Sequence, residues 1–121
     1  MEFALLIPLI VVILFAIIEF GIALTHTLAY ESGAREGARY AAVHCRPEAA
    51  TCSTTLIQNR IVASMPAGYP VSFTAFSASP DCTASPGSLV TVTWQQEVPI
   101  DVPFLPDLSW TIDPSGTFRC E

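Results

Sequence analysis

The chain has 121 residues, 51% of them hydrophobic, and its formal net charge of −6 includes five arginines and no lysine. An acidic chain without a basic stripe is not expected to bind nucleic acid, and it has no polybasic segment for anionic lipid. Beyond an apolar N-terminal segment, fewer than 100 residues remain, enough for one small domain whose core is marginal without covalent cross-links.

The first predicted element is an apolar run at residues 3–24, interrupted by Glu19 alone. A helix of this length extends about 33 Å, enough to cross the hydrocarbon core of a bilayer. The run is too long for the apolar region of a secretory signal and lacks preceding basic residues and an A-x-A-like site, so we expect an uncleaved helix. The helical pattern continues to about Val43, which predicts a stem of roughly 60 Å. We expect Pro8 to kink or loosen its first turns.

Beyond residue 24 the stem is amphipathic, and its ion pairs and apolar stripe can be read from helical spacing. Glu31 with Arg35 and Glu36 with Arg39 are spaced for local ion pairs. The predicted apolar stripe consists of leucines followed by small residues: Leu24, Leu28, Ala34, Ala38, Ala41 and Ala42.

Two glycines, Gly33 and Gly37, lie beside this stripe in the predicted helix. Each costs up to about 1 kcal/mol relative to alanine. We expect the missing side chains to let another helix or a sheet approach closely; the alternative is a flexible patch in a long helix.

All four cysteines lie beyond the apolar run, which is typical of an exported, oxidising compartment and of two disulfides. Four cysteines allow three pairings. We favour Cys45–Cys52, closing a short loop after the stem, with Cys82–Cys120 tying a loop to the C-terminus. The alternative is a zinc site that combines His44 with the cysteines, although the chain has no C-x-x-C pair.

The remaining elements are short. Ser53 or Thr54 is expected to cap a helix that ends near Ser64, with Leu56, Ile57, Ile61 and Met65 on or near one face. Strands are predicted from alternation at three places: residues 71–75, residues 88–98, and residues 108–112 with 117–120 after a turn at 113–116. The prolines at 103 and 106 forbid a regular central strand there. The Ser/Ala/Pro-biased residues 77–88 are expected to form an exposed loop, and the sheet to pack on the upper half of the stem.

Catalytic patterns are nearly absent from the sequence. The two histidines, His26 and His44, stand roughly 27 Å apart along one predicted helix and cannot share a metal within one chain. Asp101, Asp107 and Asp113 lack the calcium-loop pattern. No nucleophile-elbow, phosphate-loop, zinc-protease or dinucleotide-binding motif occurs. We therefore expect neither an enzyme nor a cofactor.

Two acids near the apolar run carry the most functional information. A carboxylate in hydrocarbon is costly unless it is protonated or paired. Glu2 either pairs with the N-terminal ammonium or an arginine of a neighbouring subunit, or lies solvated at the cytoplasmic headgroup surface. Glu19 lies near the outer end of the run, where it either reaches the interface or contacts another subunit.

The order of these motifs is similar to that of a known family. The chain starts EFALLIPLIVVILFAIIEFG, continues with AREGARYAAV at 34–43, and later shows VTVTW, a proline-broken segment and a final TFRCE. On these residues it resembles the TadE-like proteins, pilin-like subunits of the tight-adherence (Tad) pilus, a branch of the type IV filament systems. The likeness is strong over residues 2–43 and loose over the remainder.

The resemblance implies a life cycle and a set of partners. Such proteins carry a short basic leader, are cut by a membrane-embedded prepilin peptidase, and are extracted by assembly machinery from the inner membrane into an extracellular filament. Partners are then copies of the same chain, other pilins and this machinery. The acid of the first E-F usually stands further into the mature chain, so Glu2 departs from the pattern and its register stays open.

We therefore expect an α+β chain: a hydrophobic half-stem at 1–24, an amphipathic half-stem at 25–44, and a disulfide-stapled head with a small antiparallel β-sheet at 45–121. Its expected function is that of a structural, adhesive filament subunit. The alternatives are a minor pilin that primes or caps assembly, and a membrane-anchored binding module that does not polymerise. The residues expected to act in filament assembly are Glu2, Phe3, Pro8, Glu19, Phe20, Gly21, Gly33, Arg35, Glu36, Gly37 and Arg39.

Overall fold

The computed structural model describes residues 3–45, 52–79, 82, 87–100, 106 and 108–121. The chain is α+β, as predicted, with a long apolar helix, a four-stranded antiparallel sheet and two disulfides. Glu2 lies outside the described residues. The elements in chain order are α1 (Phe3–His44), α2 (Thr54–Ser64), β1 (Thr74–Ser79), β2 (Leu89–Ile100), β3 (Leu108–Ile112) and β4 (Ser115–Arg119).

Helix α1 is the stem. It ends at His44, one residue beyond the predicted end, and it continues through Pro8. The proline therefore does not end the helix, and the loosening expected there stays a prediction. Within the described ranges, α1 is the one helix long and apolar enough to cross a membrane, judged by length and composition.

Helix α2 begins and ends where the sequence predicts. Ser53 is its N-cap, and the Ser53 hydroxyl accepts a hydrogen bond from the backbone N–H of Thr55 at 3.2 Å. This bond satisfies one of the donors that the first turn of a helix leaves free. Ile57 and Ile61 are buried against α1, whereas Leu56, expected on or near the same face, is exposed.

Strand β2 is the centre of the sheet. Its first half pairs with β1 and with β4, and its second half pairs with β3. The register of β3 (Trp110 opposite Val98) continues unchanged into β4 (Gly116 opposite Val92). Strands β3 and β4 are therefore one edge of the sheet, interrupted at residues 113–114.

The predicted turn at residues 113–116 is thus wrong in extent. Ser115 and Gly116 already belong to β4, and the chain does not fold back on itself. Pro114 has no N–H to give to the ladder, so pairing is lost there and resumes one residue later. The sequence signal marked a break within one strand path.

The first strand lies three residues later than predicted. β1 begins at Thr74 and runs to Ser79, so residues 77–79, which were expected to begin an exposed loop, belong to this strand. The backbone N–H of Ser72 donates to the Gln96 side chain at 2.9 Å instead of to a strand. A register shift between Thr74 and Ser77 then restores pairing with β2. The position of β1 therefore depends on bonds to β2, and the alternation of side chains within residues 71–75 cannot indicate those bonds.

The core lies between the upper half of α1 and the inner face of the sheet. Alternate residues of β2 are buried, as predicted, and so is the alanine part of the stem stripe. Leu24 and Leu28 are wrong members of that stripe, being 51% and 59% exposed. At 3.6 residues per turn they are turned about 80° and 120° away from Ala34 around the helix. The buried set includes Ala34, Ala38, Ala41, Ala42, Val90, Val92, Trp94 and Val98.

Both favoured cysteine pairings are confirmed. Disulfides join Cys45 to Cys52 and Cys82 to Cys120. The zinc alternative is wrong because all four sulfurs are in disulfides and no cysteine is free to bind metal. The first bond closes the segment after the stem, and the second fixes the end of the chain beside Cys82.

Candidate assembly surface on the stem helix

The stem helix has a bare half and a covered half. From residue 6 to residue 22, the large apolar side chains are 42–64% exposed, all around the helix. From Tyr30 onwards, one face of the same helix is almost completely buried by α2 and the sheet. Soluble monomers rarely expose a contiguous apolar surface of this size, so the bare half requires lipid or other helices to cover it.

Five of the residues predicted to act in assembly lie on this bare half. Phe3 and Phe20 are 81% and 64% exposed, and Pro8 lies between them within the helix. Glu19 is partly exposed and forms no ion pair or hydrogen bond with any residue that the structure describes. A Cβ at Gly21 would meet nothing within 4 Å. Packing among the described residues therefore gives no reason for this glycine or this carboxylate.

Gly33 and Gly37 have a different environment from Gly21, because they face the chain's own head. A Cβ at Gly37 would lie 2.7 Å from Cγ1 of Ile61, and one at Gly33 would overlap Cε of Met65. The close approach expected at these two glycines is confirmed, and the helix that approaches is α2 of the same chain. Their explanation is intramolecular packing.

The charged residues of the upper stem are tied together. The two predicted ion pairs, Glu31 with Arg35 and Glu36 with Arg39, are present with N–O distances of 3.7 Å each. Arg60 of α2, which sequence reasoning missed, donates from Nε and Nη2 to one oxygen of Glu36 at 3.0 and 2.7 Å. Glu36 therefore links α2 to the stem.

Arg35 and Arg39 keep most of their surface free despite these pairs. Their side chains are 70% and 64% exposed. Of the residues predicted to act in assembly, these two arginines are the ones on the upper stem that remain open to another molecule.

Two contacts at the lower edge of the head were not predicted from the sequence. The Tyr30 hydroxyl donates to the backbone carbonyl of Pro70 at 2.7 Å, and burial raises the pKa of this phenol. The rings of His26 and Tyr69 lie 4.4 Å apart between centroids. The segment before β1 is thereby held against α1 within two turns of the end of the apolar run. The sequence shows only the aromatic residues, not their pairing.

A third missed residue, Gly116 of β4, sets the distance between sheet and stem. A Cβ there would overlap the backbone of Ala34 and Arg35. A signal for it existed in the sequence, because a glycine inside a strand often marks the close approach of another backbone.

The arrangement offers surface rather than a reactive centre. Among the described residues, no group of three or more His, Cys, Asp or Glu side chains is placed to hold a metal ion. His26 contacts the head near the lower end of the covered half, whereas His44 ends the helix and stacks on Tyr40 at 4.1 Å between ring centroids.

Comparison with known proteins finds a match for the part of the chain that contains the bare half of the stem. The family model of TadE-like proteins matches residues 1–39, which is about a third of the chain. No curated protein and no solved structure matches the chain. The match includes the whole bare half and ends at Arg39, before α2 and the sheet begin. The stem of this protein is therefore similar to the N-terminal segment of TadE-like proteins, and the remaining two thirds of the chain lie outside the match.

Proposed function

We propose that the chain is a non-enzymatic structural subunit of a Tad-type, type IV-like surface filament for adhesion. Its stem packs against the stems of other copies or other pilins, and its disulfide-stapled head faces solvent. One observation carries the proposal: the apolar half of α1 is bare on all sides, while the head covers only the other half. The family match over residues 1–39 supports it.

The stem begins in the inner membrane and leaves it during assembly. Lipid tails and neighbouring stems are equally apolar, so moving from one to the other yields little hydrophobic free energy. The driving force must then come from close packing of helices and from pairing of polar groups. Gly21 offers open space for a close helix contact, and Glu19 offers a carboxylate that the described chain leaves unpaired.

The proposal also assigns partners. The prepilin peptidase and the inner-membrane assembly machinery act on the chain before and during extraction, and copies or other pilins bind it in the filament. None of these contacts needs a cofactor.

The first test measures abundance in filaments. Surface material sheared from native cells is digested without reduction, and this chain is quantified against all other pilin-like chains by mass spectrometry. A dominant amount supports a building block, and a trace amount beside another pilin indicates a priming or capping subunit. Recovery only from membranes would refute the filament proposal and favour an anchored module.

A second test changes the bare surface without disturbing the head. Gly21→Leu adds bulk where the monomer has open space, and leucine is a good helix former, so insertion and folding are expected to stay normal. Filament yield should fall, because neighbouring stems can no longer approach closely. Ile22→Leu, a conservative change at the adjacent position, is the matched control. Equal yield of both variants would contradict close packing at this site.

A third test concerns the acid of the first E-F motif. Glu2→Ala should reduce display in filaments while leaving the amount in the membrane unchanged. Glu97→Gln removes an exposed charge of the head and serves as the control. Equal surface display of the Glu2 variant would count against assembly through this acid.

A further inference from the structure

Two neighbouring apolar side chains of β3 form an exposed patch on the described part of the head, which also exposes Leu56, Val62, Leu89 and Phe118 elsewhere. Trp110 and Leu108 of β3 are 52% and 47% exposed. Directly opposed residues of antiparallel strands point to the same face of a sheet. Trp110 lies opposite Val98, which is buried in the core against the stem. The two exposed side chains therefore point to the stem side of the sheet, beyond its covered part.

The strand direction places this patch at the lower end of the head. Gly116 lies against Ala34, whereas Val90, further along the same register, lines a cavity with Ala41 and Cys45. The path from Gly116 onwards therefore runs towards the C-terminal end of α1. Strand β3 precedes it on the same edge and extends the opposite way, towards the bare half.

The level of the patch along the stem can be estimated. Trp110 comes six residues before Gly116, a distance of about 20 Å along an extended strand. On a helix this corresponds to about 13 residues below Ala34, near residue 21, and somewhat higher if the strand is inclined to the helix. Either value lies beside the outer end of the apolar run at residues 3–24.

We propose that Trp110 and Leu108 seat the head on the outer headgroup region of the membrane while the stem still spans it. This inference rests on the membrane stage of the proposed function. Lipid is the occupant that the structure favours, because the patch lies level with the exposed apolar surface of the stem. Tryptophan is enriched at this depth, since its ring is apolar and its N–H remains hydrated.

The charge around the patch specifies the kind of lipid. Glu97, the exposed acid next to Val98 on β2, lies opposite Thr111 and so points to the other face of the sheet from Trp110. The four described arginines lie elsewhere, at Arg35 and beyond on α1, on α2 and at the end of β4. The surface that meets the membrane therefore carries no described positive charge, and we expect it to prefer zwitterionic over anionic headgroups.

The chain has two tryptophans, which makes the contact measurable. The full chain is reconstituted into phosphatidylcholine vesicles, and insertion is checked by flotation. Trp94→Phe leaves Trp110 as the single reporter. Trp94 is 1% exposed, and its N–H has no hydrogen-bond partner among the described residues, so phenylalanine removes no described hydrogen bond. If this variant folds poorly, the difference between the native chain and Trp110→Phe gives the same signal.

Three readings decide the outcome. We expect Trp110 emission to shift to shorter wavelength, to lose intensity with lipids brominated near the headgroup more than with deeply brominated lipids, and to be protected from aqueous iodide. Trp94, read from Trp110→Phe, should respond to neither quencher. Vesicles with added phosphatidylglycerol should weaken the effect on Trp110.

The contrary results are distinct. Flotation with Trp110 fully open to iodide and insensitive to brominated lipid would overturn the inference and leave the inserted stem standing. Protection that grows with the protein-to-lipid ratio, without lipid quenching, would overturn it in favour of a second copy. Failure to float would refute the membrane stage itself.

Discussion

Replacing Gly116 by alanine tests the contact that joins the sheet to the stem. The added Cβ would overlap backbone atoms of Ala34 and Arg35, which cannot rotate away as a side chain can. Strand β4 must then move off the helix. Overpacking of this kind typically costs about 1–3 kcal/mol, and the backbone contact favours the upper end.

An opposing gain exists but is smaller. Alanine loses less backbone freedom on folding than glycine does, which stabilises a compatible site by about 0.4–1 kcal/mol. The expected net loss is therefore about 2 kcal/mol. For a folded domain of this size, that loss lowers the thermal midpoint by roughly 10 °C.

The assay is thermal unfolding of the non-reduced full chain in detergent, followed by near-ultraviolet circular dichroism, which reports the buried Trp94. Gly21→Ala is the matched control, because its Cβ meets open space and should leave the midpoint equal or higher. Ala34→Gly should not rescue Gly116→Ala, since the overlap is with backbone. An unchanged midpoint for Gly116→Ala would refute the backbone contact, and rescue by Ala34→Gly would assign the contact to a side chain.

Three further outcomes follow from the head and its junction with the stem. Tyr30→Phe should cost about 1 kcal/mol near neutral pH through its lost hydrogen bond. Because the pKa of Tyr30 is raised in the folded chain, the unfolded chain loses this proton first as the pH rises, and the native state loses stability above about pH 10. Denaturation at several pH values should show that the difference in unfolding free energy between the native chain and the Tyr30→Phe variant becomes smaller there. Glu36→Gln should cost about 1 kcal/mol in low salt and less in high salt. Glu31→Gln should cost only about 0.3–0.5 kcal/mol, because the ion pair of Glu31 is longer and more exposed. Equal losses of stability for the two variants in a salt titration would contradict the link from Glu36 to α2. Replacing both Cys82 and Cys120 by serine should cost about 4 kcal/mol, because their bond closes a loop with a sequence separation of 38. The Cys45–Cys52 bond has a separation of only 7. If thermal unfolding showed a smaller loss for the Cys82–Cys120 bond than for the Cys45–Cys52 bond, the loop-entropy argument would be contradicted.

Local pattern was sufficient for the elements that stabilise themselves. The stem helix, the cap at Ser53 and the alternation along β2 were all predicted within a residue or two of the observed bounds. Each depends on residues within a few positions of one another, through helical hydrogen bonds, a capping side chain or the two-residue period of a strand. The ion pairs of Glu31 and Glu36 on α1 belong to the same class.

Pairing between distant segments was not predictable in this way. The shift of β1 depends on a bond from Ser72 to Gln96, and the straight path through Pro114 depends on the register with β2. Arg60 binds Glu36 across 24 positions of sequence. A single sequence reports the residue types at such sites but not their partners.

The same distinction between local pattern and distant contact applies to the candidate assembly surface. By itself, the sequence determined that a helix of apolar residues follows Glu2, that small residues follow in its second half, and that all four cysteines lie beyond the apolar run. Only the tertiary structure decided which neighbour four of the glycines meet: Gly33 and Gly37 lie against α2, Gly116 lies against the stem backbone, and Gly21 faces open space. The reason is physical. Helix formation and apolarity are properties of neighbours in sequence, whereas contact depends on which surfaces the fold brings within a few ångströms of each other.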